Sequence, residues 1–155
     1  FRYGIYFDDN ASYGRVENVN VSGQHRGIQI DAGAGYYISN VTVQGGREGM
    51  YFDTITDSKI INSSIVNADT YGFYIINLRN VTIDSSNFSN SVLLDVYFYA
   101  GSRSSCANEF KNVGGTGGLP IGFYNGTATI ANQNFSELIL CGADNFRLEN
   151  LTIGH

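Results

Sequence analysis

The sequence predicts an all-β fold, a parallel β-helix solenoid of about seven coils with roughly 22 residues per coil. Three observations predict it. First, a short motif recurs: Gly4-Ile-Tyr-Phe-Asp, Gly27-Ile-Gln-Ile-Asp, Gly49-Met-Tyr-Phe-Asp and Gly72-Phe-Tyr-Ile-Ile start 23, 22 and 23 residues apart (27−4, 49−27, 72−49). Second, each motif is followed by another alternating run: Arg15-Val-Glu-Asn-Val-Asn-Val, Tyr37-Ile-Ser-Asn-Val-Thr-Val, Lys59-Ile-Ile-Asn-Ser-Ser-Ile and, after a shorter gap, Arg79-Asn-Val-Thr-Ile. Third, no helical stretch separates these runs. The best helix formers are scarce, whereas the chain holds 17 Asn and 19 Gly, residues suited to tight turns and left-handed backbone.

Coils 1 to 4 span about 1–23, 24–45, 46–68 and 69–90. In their first strands Ile5, Phe7, Ile28, Ile30, Met50, Phe52, Phe73 and Ile75 share the inward parity, and Tyr6, Asp8, Gln29, Asp31, Tyr51, Asp53, Tyr74 and Ile76 the outward one. Val16, Ile38 and Ile60 should stack in the second strand, and Val21, Val43 and Ile65 in the third. Between these strands Asn18, Asn40, Asn62, Asn80, Asn112 and Asn150 read as an inward asparagine ladder that satisfies turn backbone groups. Coil 5 opens at Leu94-Asp-Val-Tyr-Phe-Tyr and closes at Glu109-Phe-Lys-Asn-Val. Gly114-Gly-Thr-Gly-Gly118 is then a loop or bulge, and coils 6 and 7 restart at Ile121 and Leu138.

At 155 residues the chain reads as one domain, 1–155, and 43% hydrophobic content suffices for a core. It has neither an initiator Met nor a signal peptide, so it reads as a mature chain or a segment of a longer solenoid. No polar cap is visible at either end, so stacking on neighbours into a filament is expected. A net charge of −5 argues against nucleic acid and anionic membrane surfaces as partners. No apolar run approaches the ~20 residues of a transmembrane segment.

The Gly-Ile-x-Phe/Ile-Asp and Asn-Val-Thr-Val units resemble right-handed, pectin-lyase-like β-helix repeats. Polysaccharide lyases and hydrolases, phage tailspikes and the NosD-like carbohydrate-binding group share them. The segments Cys106-Ala-Asn-Glu-Phe-Lys-Asn-Val-Gly-Gly-Thr-Gly-Gly-Leu-Pro-Ile-Gly-Phe-Tyr-Asn-Gly-Thr and Phe135-Ser-Glu-Leu-Ile-Leu-Cys-Gly-Ala-Asp-Asn are similar to NosD-like proteins of archaeal cell surfaces. The resemblance implies a right-handed helix, an extracellular or cell-surface place and a structural or sugar-binding role. It implies no particular reaction.

Candidate site residues lie on the outward parity. Asp8, Asp31 and Asp53 form a column about 4.8 Å apart, an oxygen-rich ladder of a kind that suits Ca²⁺. Exposed, it stands without metal, because each adjacent pair repels by only about 1 kcal/mol in water. Tyr6, Tyr51, Tyr74, Tyr97, Tyr99 and Tyr124 are assigned to the same face. Rings beside carboxylates suit the apolar faces and hydroxyls of a polysaccharide or cell-surface glycan. A row of cross-strand stacks that stabilises the sheet is the plainer reading.

Nine Asn-x-Ser/Thr sequons occur, at Asn10, Asn20, Asn40, Asn62, Asn80, Asn87, Asn125, Asn134 and Asn150. Asn10, Asn87, Asn125 and Asn134 are the glycosylation candidates, since Asn40, Asn62, Asn80 and Asn150 are expected to point inward. Arg15, Lys59, Arg79, Arg26, Arg47 and Arg103 read as surface cations rather than a lyase base. The Asp-Asp, Gly-His-Gly and Arg-Ile-Lys sets of polygalacturonases are missing, and His25 and His155 are the sole histidines. An extracellular setting favours a Cys106–Cys141 bridge. Coil counting instead sets them about 9–10 Å apart along the axis, beyond the ~7 Å Cα limit unless the glycine-rich segment lets the coils bulge. The expected function is an extracellular structural or adhesive module with a Tyr/Asp sugar face. The alternatives are a polysaccharide lyase or hydrolase and a tailspike-like module.

Overall fold

In the computed structural model, which describes residues 2–154, the chain is an all-β solenoid of about seven turns. Phe1 and His155 lie outside the described residues. The first strands of coils 1–5, Tyr3–Phe7, Arg26–Ile30, Glu48–Asp53, Tyr71–Ile76 and Leu94–Tyr99, form one five-stranded sheet in chain order. The second sheet holds Arg15–Ser22 and Tyr37–Gln44, then shorter strands from the later coils, broken in two at a bend.

Alternation sets the core. Ile5, Ile28, Met50, Phe73 and Val96 stand in one register column, and Phe7, Ile30, Phe52, Ile75 and Phe98 in the next. Opposite them Val16, Ile38, Ile60 and Ile83 stack, as do Val21, Val43, Ile65 and Phe88. From coil 2 to coil 4 these side chains are buried, each contributing about 1.5–3 kcal/mol. Phe73 packs edge-on against Phe52 and Phe88, with centroids 4.8 and 5.5 Å away. The repeat glycine marks where the first strand meets the third. A Cβ on Gly27 would sit 2.3 Å from Val43 Cγ1 and 2.5 Å from the Gly49 carbonyl oxygen, and one on Gly49 would sit 2.1 Å from Ile65 Cγ2.

The bend in the second sheet corrects the asparagine ladder. Asn18, Asn40, Asn62, Ser85 and Asn112 occupy it, and Asn132 and Asn150 the matching turns of the last coils, all with φ between 47° and 58°. That left-handed backbone suits Asn better than most residues, and it turns the side chain out of the sheet. All the asparagines expected to point inward are exposed, although Asn40 Nδ2 still donates to Asn18 Oδ1 at 3.2 Å, and Asn150 to Asn132 at 3.2 Å. Asn80 belongs to an earlier turn, where its amide donates to Asp57 Oδ1 at 2.6 Å.

Serines take the inward polar role. Buried Ser58, Ser63 and Ser86 accept from the backbone N–H of Tyr36, Val41 and Ser63. Each donates its hydroxyl to a carbonyl two residues back. These bonds meet the need to pair buried backbone groups at a turn.

Beyond coil 5 the stack changes. Ile121–Asn125 pairs with Glu137–Cys141 in a separate two-stranded sheet. The last turns tighten to 16 residues from Ile121 to Glu137 (137−121) and 18 from Thr129 to Arg147 (147−129). Leu94–Tyr99 is therefore the end strand of its sheet. The glycine-rich loop is tied back: Thr116 N–H donates to Asp95 at 2.7 Å, and its hydroxyl accepts from Asn90 N–H at 2.6 Å.

Candidate functional site

The first sheet's outer surface carries the candidate residues. One column reads Tyr6, Gln29, Tyr51, Tyr74 and Tyr97, and beside it run Asp31, Asp53, Ile76 and Tyr99. The strands hold these side chains outward because the inward parity is filled by the apolar columns.

The tyrosines form a pile. Tyr51 and Tyr74 stack at 5.2 Å with planes 12° apart, and Tyr74 and Tyr97 at 4.5 Å and 17°. Tyr71 packs against both Tyr74 and Tyr97. At the other end Arg26 lies 3.6 Å over the Tyr51 ring, a cation–π contact, and pairs with buried Glu48. Burial pushes the Tyr51 and Tyr74 hydroxyls above the ordinary tyrosine pKa, with the Asp53 charge adding at Tyr51.

Two of the expected tyrosines fall elsewhere. Tyr6 is cut off from the pile by Gln29 and stacks on Tyr3 at 5.1 Å. Tyr124 lies in the separate sheet, opposite Leu140, and meets Phe135 edge-on. Register reasoning misplaced it because the five-stranded sheet stops at coil 5.

The aspartates share a column but do not converge. Tyr6 hydroxyl donates to Asp31 Oδ2 at 2.7 Å, and Gln29 Nε2 donates to the other Asp31 oxygen. Asp8 accepts from Asn10 N–H at 3.2 Å, and Asp53 from the Thr54 hydroxyl at 2.8 Å. Each carboxylate thus turns to a donor of its own. Among the described residues no group of three or more His, Cys, Asp or Glu side chains could hold a metal ion. Asp8, Asp31 and Asp53 therefore stand as a column of carboxylates, not as a converging ligand cluster among the described residues. The Asp31 bond holds the Tyr6 hydroxyl up to about 12, against an ordinary value near 10.

The cations lie in ion pairs or away from the aspartates. Arg15 pairs with Glu17 on the second sheet, and Arg103 pairs with Asp144. The glycosylation candidates Asn10, Asn87, Asn125 and Asn134 are exposed. The Asn125 amide is engaged by the Cys106 carbonyl at 2.9 Å.

Cys106 and Cys141 form a disulfide with Cα atoms 5.4 Å apart. The two-coil separation expected from counting fails for a specific reason. The strand Glu137–Cys141 abuts the end of coil 5: Glu137 carboxylate oxygens accept from the N–H groups of Asp95 and Val96. Between Leu94–Tyr99 and Glu137–Cys141 an open cleft of about 660 Å³ remains, lined by Leu94, Tyr97, Phe98, Leu138 and Ile153 among others. Nothing in the strand pattern signals it, because it arises where strand pairing stops.

Residues 1–137 match the family model described as periplasmic copper-binding protein (NosD). The chain belongs to the NosD family. No curated protein and no solved structure matches it. The described residues of this NosD-family chain do not fit the copper of that description. Copper sites draw on thiolate, thioether and imidazole donors. Here both cysteines are in the disulfide, the single methionine, Met50, is sealed in the core, and among the described residues His25 belongs to no cluster of potential ligands. His155 lies outside the described residues.

Proposed function

We propose that this NosD-family chain is an extracytoplasmic structural or adhesive β-helix module that contacts glycan through the outer face of its first sheet. The observation that carries the reading is the face itself. Across coils 2–5 the ring pile of Tyr51, Tyr74 and Tyr97 runs beside Asp31, Asp53 and Gln29. Short turns flank it, since Ile30 is followed by a strand from Gly33, and Asp53 by one from Ile55. Hydroxyls, carboxylates and amides beside apolar rings match the mixed surface of a sugar chain. The Cys106–Cys141 disulfide and the family's periplasmic description support a place outside the cytoplasm, and display at the cell surface is the specific form proposed.

Co-sedimentation with insoluble cellulose, chitin and xylan tests this. The protein should be retained on at least one, and Tyr74→Ser and Asp53→Asn should lower retention several-fold. Retention on none of them, or retention indifferent to both variants, would overturn the reading.

A further inference from the structure

The outer face of the first sheet ends at a row of turns. Asp53, Ile76 and Tyr99 share its last column. The chain then leaves the sheet at Thr54, at Asn77 and through the loop 100–105, with Thr54 and Asn77 in left-handed backbone. Between these turns of coils 3 and 4 and the loop of coil 5 lies a pocket of about 440 Å³, within the range of ordinary ligand pockets. Arg79 stands in its wall. Its backbone bridges to Thr56 of the coil before, and it lies on the exposed side, next to buried Leu78.

The polar groups around this pocket leave a surplus of donors. Asn77 Oδ1 accepts from Gly101 N–H at 2.7 Å, while its Nδ2 has no partner among the described residues. Ser102 Oγ bonds Ser104 Oγ at 2.8 Å and Ser105 Oγ at 3.1 Å. Three hydroxyl hydrogens serve these two bonds, so one remains to be donated. Arg79 forms no ion pair and no side-chain hydrogen bond among the described residues. Its charge is felt at Asp57. That carboxyl sits below the usual carboxylate range chiefly because the Asn80 amide donates to it, with Thr56 and Arg79 adding to the effect. In a chain of net charge −5, no Asp or Glu is among the described residues lining this pocket.

We infer that the pocket seats a singly charged sulfate ester carried by the glycan that lies along the face. The inference rests on the glycan reading above and adds the place and the charge of one substituent. The arginine fork offers two parallel N–H donors, and the Asn77 amide and a serine hydroxyl offer more, which suits an ester with three terminal oxygens. A carboxylate presents two oxygens in one plane to the same donors. A phosphate monoester carries about −1.5 to −2, more than one arginine balances, and its surplus meets the charge of Asp57. Because the pocket begins one residue beyond Asp53, a sugar on the face can turn its substituent over the edge.

NMR titration of the isotope-labelled protein tests this with galactose, galactose 6-sulfate, galacturonate and galactose 6-phosphate, which differ only at one carbon. Galactose 6-sulfate should shift the Arg79 Nε–H, the Asn77 amide and the backbone N–H groups of 102–105, and should bind about tenfold more tightly than the other three. Arg79→Gln should abolish that preference. Arg79→Lys, which keeps the charge and loses the fork, should keep only part of it. Asp57→Asn should tighten binding by removing the opposing charge, and Lys111→Ala on the second sheet should change nothing. Circular dichroism checks the fold of each variant. No preference for galactose 6-sulfate, or a preference that survives Arg79→Gln, refutes the subsite. Preference for galacturonate or for the phosphate overturns the sulfate class. Inorganic sulfate binding where galactose 6-sulfate does not would mean an adventitious ion only, which also refutes it. If co-sedimentation with the neutral polysaccharides fails while Arg79-dependent binding of galactose 6-sulfate persists, the pocket holds and the face falls.

Discussion

Coils 1–4 and coils 5–7 are built from similar strand sequences but are held together differently. In the first region every layer repeats the last: Ile28 on Met50 on Phe73, Ile38 on Ile60 on Ile83, and glycine wherever the first strand crosses the third. Stability there comes from many equivalent contacts. In the second region the ladders are short two-stranded sheets, and discrete clamps replace them. Glu137 binds two backbone N–H groups, Asp95 takes the N–H groups of Ser91 and Thr116, and a disulfide joins Cys106 to Cys141. A repeat tolerates loss of one contact poorly in the middle of its stack, whereas a clamped end depends on a few named groups.

The contrast is broken most strongly from the regular side. Phe73 is fully buried and touches phenylalanines in two directions. Phe73→Ala should cost about 3–5 kcal/mol, read as a shifted denaturant midpoint for the whole chain. An equal shift confined to one coil would mean the coils unfold independently. On the clamped side, Cys106→Ser with Cys141→Ser opens a loop of sequence separation 35, worth roughly 3–4 kcal/mol in the chain-entropy model. Hydrogen exchange should accelerate in 121–154 while coils 1–4 keep their protection. Uniform acceleration would erase the distinction between the regions. Glu137→Gln removes charge-assisted acceptance from two N–H groups in a buried site, which should cost about 2 kcal/mol and again loosen the terminal coils first.

These regions also differ in how far the sequence revealed them. Coils 1–4 were legible because inward parity and period coincide: Ile5, Ile28, Met50 and Phe73 share a column in the structure as in the pattern. The bend position at Asn18, Asn40 and Asn62 was visible too, but not its direction, since a left-handed residue reverses the alternation on which inside and outside are read. That reversal hid Ser63 and Ser86, each immediately after the bend, as the buried hydrogen-bonding residues. The cleft and the placement of Tyr124 were illegible, because a constant coil was carried past the end of the five-stranded sheet. Asparagine spacing gives position, and only the backbone gives orientation.

That orientation carries a smaller prediction. Asn62 holds φ 47°, where an alanine would be strained by roughly 1 kcal/mol and a glycine would not. Asn62→Ala should lower the denaturant midpoint by that amount and Asn62→Gly should leave it nearly unchanged. Equal losses would point to the side-chain amide rather than the backbone.

The smallest effect lies on the outer face. Tyr6 is 48% exposed, and its hydroxyl bond to Asp31 raises its pKa to about 12. In the unfolded chain a tyrosine ionises near 10, so the folded state holds this proton more tightly. The contribution is present in full below pH 10 and is lost as pH rises from 10 towards 12. Exposure keeps it too small to govern overall stability, so the site itself should be followed, by carbon NMR of the labelled ring. Tyr6 should titrate near 12 in the native protein, and in Asp31→Asn its midpoint should fall back towards 10. A native midpoint near 10 would mean that Tyr6 and Asp31 are not joined in solution. The face would then begin at Arg26 and Tyr51, one coil later, with the ring pile as its only ordered feature.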